Sequence, residues 1–226
     1  MQNPSDGVYN VNPPKPNAKS TKRPKLLGFP GNVLYVTKDS NLLAAQLAKQ
    51  PIDRPNADQL IDNISTDEIT PGWTCFRYDE TLGDYCLVGL RGGVIQKGSI
   101  KGAGASVIVS GLSKGCGSSR ETAPFSEKTA GIQLVIARTI EKIYRQNCHN
   151  IGLLTSTDFG LLDRIENDEP IPLEEFTKGL DPIAAAIVEH GGLFAYNLAR
   201  LSGEALPPVV ATTLRPMTLV EKIIAR

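Results

Sequence analysis

From Ser106 to Thr155 short β-branched runs alternate with helix-like stretches, and that order of elements leaves few folds open. Ser106-Val107-Ile108-Val109-Ser110 reads as a buried strand, a glycine-rich turn follows, and residues 123–130 make a helix that Gly131 can cap. Residues 132–137 are strand-like again. Ala137, Ile140, Ile143, Tyr144 and Cys148 share one helical face, which carries a second helix to about Cys148. Residues 150–155 supply a third strand. Strand, loop, helix, strand, helix, strand predicts an α/β chain with helices packed on a sheet.

The flanks are less regular. Residues 1–25 are rich in Asn, Pro, Lys and Ser with almost nothing apolar, which predicts a disordered arm carrying a basic cluster at 15–25. Order is expected from Leu26 onward, with a strand over residues 33–36 and a helix over 41–50 that stops before Pro51. Residues 60–72 alternate apolar with polar groups and read as a strand leading into a polar loop, turned by Pro71-Gly72. Residues 83–94 read as a strand with glycine turns, and Arg91 lies in a flexible setting. Residues 163–175, acidic and holding two prolines, read as surface loop. Asp181-Pro182 predicts a capped helix through Glu189, stopped by Gly191-Gly192, and residues 193–201 continue helically. Pro207-Pro208 reads as a linker. Thr218-x-x-Glu221 forms a capping box for about two further turns, too short to stand alone, so the chain is expected to belong to a longer polypeptide. The division is an arm at 1–25, a domain at 26–180, and a helical extension with linker at 181–226.

Composition excludes several classes. Twenty-four basic and 24 acidic side chains cancel, giving no electrostatic case for nucleic acid or an anionic membrane. No run approaches the roughly 18 apolar residues of a membrane span, and no signal-peptide core opens the chain, so a cytoplasmic location is expected. Cys75, Cys86, Cys116 and Cys148 form no C-x-x-C pair, and only His149 and His190 accompany them, so no metal ligands are assigned within this chain.

The stretch Gly115-Cys116-Gly117-Ser118-Ser119-Arg120-Glu121-Thr122-Ala123-Pro124 concentrates the chemistry. It brings two hydroxyls and a guanidinium to a helix start, where backbone N–H groups are unpaired and a carboxylate is favoured. Ser118-x-x-Glu121 equally fits a capping box with no ligand. Pro124 belongs in a first turn, which puts the helix start near Glu121 or Thr122 and the serines in the loop. Spacing alone leaves both readings open.

Three segments, in order, resemble the swivelling domain of the aconitase superfamily, including 3-isopropylmalate dehydratase small subunits. Gly115-x-Gly117-Ser118-Ser119-Arg120-Glu121 with Ala123 is similar to its hallmark, although Thr122 stands where histidine is usual. Ser65-Thr66-Asp67-Glu68-Ile69 resembles its Thr-Asp-x-Ile motif, and residues 136–154 resemble the segment that follows the hallmark. The resemblance covers about residues 60–160. It implies a swivelling β/β/α fold with a mixed sheet or barrel-like core and packed helices, extended here by C-terminal helices. The implied chemistry is reversible dehydration of hydroxy di- or tricarboxylic acids, with a [4Fe-4S] cluster held by a separate catalytic part.

By that resemblance Ser118 is the base, Asp67 a supporting carboxylate, Arg120 a substrate clamp, and Ser119 and Gly117 substrate contacts. Trp73-x-x-Phe76-Arg77 resembles a further family segment and makes Arg77 the second clamp, with Arg91 as the other candidate. Met217–Arg226 resembles the opening of the catalytic part, so the chain is expected to be the N-terminal portion of a fused enzyme, inactive alone. Its expected partner is a cluster-bearing domain of the same polypeptide or a large subunit, and its ligand a small hydroxy-carboxylate. The alternatives are a domain specific to 3-isopropylmalate dehydratase, a noncatalytic RNA-binding regulatory module, or a stand-alone anion-binding protein.

Overall fold

The computed structural model describes residues 22–206 and 216–224. Most of the arm, the Pro207-Pro208 linker and the last two residues lie outside them. In chain order the elements are β1 (Leu26–Leu27), β2 (Asn32–Tyr35), α1 (Ser40–Leu47), α2 (Thr66–Ile69), α3 (Ser99–Ala103), β3 (Ala105–Ser110), α4 (Thr122–Thr129), β4 (Leu134–Ala137) and α5 (Lys142–Ile151). There follow β5 (Leu154–Ser156), α6 (Leu161–Glu166), β6 (Ile171–Pro172), α7 (Glu174–Thr177), α8 (Pro182–Glu189), α9 (Leu193–Leu201) and α10 (Leu219–Ile224). β2, β3, β4 and β5 lie side by side in that order, all parallel. β1 and β6 form a separate antiparallel pair, Leu27 opposite Ile171.

A parallel sheet is covered on both faces, and the strands here are correspondingly apolar. Every residue of β3 and β4 is buried. Alternate side chains enter two cores. Leu34, Ile108 and Val135 face Ala123 of α4 and Tyr144 and Cys148 of α5. Tyr35, Val107, Val109, Leu134 and Ile136 face Phe29, Leu161, Ile165, Ile171 and Phe176. The α/β alternation predicted over residues 106–155 is therefore the central layer of the molecule.

Caps and glycines set the boundaries. Asp39 accepts hydrogen bonds from the N–H groups of Asn41 and Leu42 at the start of α1, and Asp181 does the same for Ile183 and Ala184 at α8. Gly152, at φ +82°, ends α5. The third strand consequently begins only at Leu154, and Asn150 and Ile151 belong to the helix. α5 starts at Lys142, so Ala137 is a strand residue and Ile143 points outward, 55 % exposed.

Three other expectations are corrected. Residues 60–72 form no strand, because Ser65 and Glu68 close a reciprocal capping box that starts α2. Residues 83–94 contain turns and the end of a 3₁₀ helix spanning Glu80–Tyr85. The acidic stretch 163–175 is built into the domain: Ile165, Ile171 and Leu173 are buried, as is Phe176 just beyond it, while residues 166–170 face water. Pro172 is tolerated in β6 because a two-stranded ribbon has outer edges that need no N–H. Nor is Arg23 a free arm residue. Its backbone N–H donates to the Glu189 carbonyl at 2.7 Å and its guanidinium to the Gly152 carbonyl at 2.5 Å. Among the described residues no helix is long and apolar enough to cross a membrane.

Ile171→Ala separates the two readings of the acidic stretch. Loss of a buried isoleucine should lower the urea-unfolding free energy by about 2–5 kcal/mol, whereas a surface-loop position would change it by no more than about 0.5 kcal/mol.

Candidate active site

The loop after β3 leaves the carboxyl end of a parallel strand, where open α/β sheets hold their ligands. It does not hang free. Gly111 N–H donates to the Ile61 carbonyl at 2.9 Å, Asn63 N–H to Leu112 at 2.7 Å, Gly115 N–H to Ile64 at 2.8 Å, and Thr66 N–H to Cys116 at 2.8 Å. This main-chain ladder lays residues 61–66 along residues 111–116 and brings two motifs, distant in sequence, edge to edge. Gly115 sits at φ +80°, and a β-carbon there would fall 2.1 Å from Cγ of Tyr144. Gly117, at φ +95°, passes over Ser65 and Thr66 with ordinary contact distances.

Beyond the ladder the two motifs meet through side chains. Arg120 Nη1 lies 2.5 Å from Asp67 Oδ1, with the two side chains 32 % and 57 % exposed. An ion pair this open adds at most about 1 kcal/mol to stability. It fixes where the guanidinium points. Glu68, next to Asp67, accepts from Ser65 N–H and also pairs with Arg91 Nε at 3.3 Å. α2 thus presents neighbouring carboxylates, each holding an arginine.

Ser118, Ser119 and Gly117 are exposed on the loop. α4 begins at Thr122 with Glu121 as its N-cap residue, and no side chain caps it. The capping-box reading of Ser118 is therefore excluded, and its hydroxyl is available to a ligand. Thr122, in the position where histidine is usual, has its hydroxyl 3.5 Å from the Cys75 thiol. Tyr78 stacks on Phe125 at 4.5 Å between ring centres and donates to Glu121 at 3.0 Å. Partial burial, reinforced by that carboxylate, pushes the Tyr78 hydroxyl up to about 12. Gly72, Cys75, Tyr78, Arg120, Glu121 and Thr122 line a shallow cleft beside the loop.

The predicted residues are not all gathered. Asp67 and Arg120 are joined, and Gly117, Ser118 and Ser119 share their loop. Arg77 stands apart, its guanidinium 5.0 Å from the centre of the Tyr85 ring, which Trp73 meets edge-on. Arg91 is instead the arginine tied to α2. Glu68 was missed as a site residue, although Ser65-x-x-Glu68 is legible as a capping box.

No group of three or more His, Cys, Asp or Glu among the described residues could hold a metal ion. Burial pushes the Cys86 and Cys148 thiols well above their usual range, which disfavours the thiolate a metal needs. Cys75 lies in a turn, and Cys116 in the backbone ladder opposite Ser65. The donor set does not fit an iron–sulfur cluster.

The chain resembles known proteins. The family model for the aconitase C-terminal domain matches residues 94–157, which include the serine loop. A 3-isopropylmalate dehydratase small subunit from Nitratidesulfovibrio vulgaris is 31% identical over 163 residues, covering 66% of this chain and 95% of that relative. The chain is a swivelling domain of the aconitase superfamily. Another small subunit of the same name, from Syntrophus aciditrophicus, is 34% identical to this swivelling domain over 114 residues, 50% of this chain and 67% of the relative. A solved 3-isopropylmalate dehydratase from Methanocaldococcus jannaschii shares 29% identity, with a TM-score of 0.47, over 63% of this chain and 91% of that one.

The two loop glycines should respond differently to substitution. Gly115→Ala combines a left-handed backbone with a clash against Tyr144 and should cost more than about 2 kcal/mol in urea unfolding. Gly117→Ala carries backbone strain alone and should cost about 1–2 kcal/mol.

Proposed function

We infer that this swivelling domain is the substrate-holding, base-donating half of an aconitase-like hydro-lyase, which isomerises a hydroxy di- or tricarboxylic acid by dehydration and rehydration. The observation that carries this reading is the Arg120–Asp67 pair beside the exposed Ser118. A guanidinium held on one side by a carboxylate keeps other donors for a substrate carboxylate, and its planar fork accepts one with two parallel bonds.

In this reading the Arg120 fork binds the substrate carboxylate and orients the adjacent carbon toward Ser118. Ser118 Oγ, as the alkoxide, takes the proton from that carbon, and the hydroxyl on the neighbouring carbon departs. A serine hydroxyl is too weak a base unless its alkoxide is stabilised, and the nearby Arg120 charge and loop N–H groups act in that direction. Arg120 also offsets the negative charge that builds next to the carboxylate. Asp67 keeps Arg120 in place, Ser119 and the Gly117 backbone contact the substrate, and Arg77, exposed and apart from the Arg120 cleft, swings to meet its second carboxylate.

The [4Fe-4S] cluster that the family implies belongs, in this reading, to a catalytic partner, either a further domain of the same polypeptide or a large subunit. The relatives named 3-isopropylmalate dehydratase small subunit make 3-isopropylmalate the first substrate to test, ahead of citrate.

The test is steady-state isomerisation by this chain assembled with its cluster-bearing partner. Ser118→Ala should lower kcat by about 10²–10⁴-fold with little change in KM. Arg120→Lys should raise KM as well as lower kcat, because a point charge cannot reproduce the fork. Arg77→Ala should raise KM, and Arg91→Ala should leave it unchanged. Wild-type kinetics in both the Ser118 and Arg120 variants would overturn the assignment.

A further inference from the structure

Directly beneath the loop lies a buried polar set that the chemistry above does not use. Lys114 and Glu127 are both 0 % exposed, and Nζ lies 2.8 Å from Oε1. Their angles fall short of a hydrogen bond, and neither atom has a hydrogen-bond partner among the described residues, so charge alone holds them. The other oxygen of Glu127 accepts a hydrogen bond from the Tyr144 hydroxyl. Burial raises that hydroxyl well above its usual range, as it does the neighbouring Cys86 and Cys148 thiols, so all three stay protonated.

The positions of these residues give the set its meaning. Lys114 immediately precedes Gly115, at the entry to the loop. Glu127 is on α4, the helix into which the loop runs. Tyr144 is on α5, and its ring lies where Gly115 has no side chain. Lys114 is also fixed by its backbone, its N–H donating to Thr139 and its carbonyl accepting from Glu141, each at 3.0 Å. One charge contact therefore ties the entry of the loop to its exit, and one hydroxyl ties both to the neighbouring helix.

We propose that Lys114, Glu127 and Tyr144 are positioning residues that hold the Gly115–Arg120 loop in its reactive shape, given the role assigned to Ser118 above. Stability alone does not account for the pair. Taking two charges out of water is costly, and an apolar pair of similar volume is often as stable or more so. What an apolar pair lacks is a fixed geometry between two atoms at either end of a loop. None of the three side chains reaches the surface, so none contacts substrate.

The Lys114→Met/Glu127→Leu double variant tests this, with Tyr144→Phe as a milder companion that removes one hydroxyl. Hydrogen exchange is read on the isolated chain and turnover on the chain assembled with its partner. In the double variant Tm should equal or exceed that of the wild type, while amides 115–121 exchange at least about tenfold faster and those of β3 and β4 do not. In the assembled enzyme kcat should fall at least about tenfold, with KM within about twofold. Tyr144→Phe should show the same local pattern more weakly, and it carries the test if the double variant fails to fold. Unchanged loop exchange in every folded variant would overturn the proposal. Faster loop exchange in the variants, with no isomerase activity in the wild-type assembly, would instead support the positioning role and overturn the function assigned to Ser118.

Discussion

The site depends on four backbone hydrogen bonds. Between residues 61–66 and 111–116 the chain pairs almost as two strands would, yet only an isolated bridge forms and neither segment is a strand, despite the apolar–polar alternation of the first. Backbone donors and acceptors buried near a core must find partners, and each segment is the other's partner. Once they are zipped together, Asp67 has little choice but to meet Arg120. Such geometry tolerates changes of side chain, because the backbone supplies the contacts.

The two ion pairs near the loop illustrate opposite uses of charge. Asp67 and Arg120 stand in water, where their attraction is screened and the guanidinium can still exchange one carboxylate for another. Lys114 and Glu127 are fully buried, where their attraction is screened far less. The outer pair suits a group that must release its ligand, and the inner pair suits a support. Their proximity in the chain, Lys114 and Arg120 on one short loop, lets one segment be both anchored and responsive.

The sequence was informative where a local rule decides the structure. Asp181 before Pro182 and the apolar run of β3 each act within a few residues, and each appears where expected, whereas Gly152, read as part of a strand, instead ends α5. Pro124 likewise placed the serines ahead of α4 and so left Ser118 free. It was uninformative where burial depends on distant partners. Ile171, Leu173 and Phe176 lie among acids and prolines, and nothing nearby reveals that β1 and Phe29 will cover them. The Lys114–Glu127 contact crosses the loop and joins two residues that each look like ordinary surface charges. Arg77 and Arg91 could not be ranked from sequence, because their separation from α2 is set by turns with no period.

The pairing of β1 with β6 has a consequence for how the molecule is made. Leu27 waits for Ile171, and Arg23 for Gly152 and Glu189, across almost the whole described core. The parallel strands need only their neighbours in sequence and can associate as they emerge, whereas contacts between remote residues carry the larger loop-closure entropy. During synthesis Leu27 therefore has no strand partner until β6 has left the ribosome, and the Arg23 N–H waits for α8, so the apolar face of the sheet that β1 and Phe29 help to cover stays open longest.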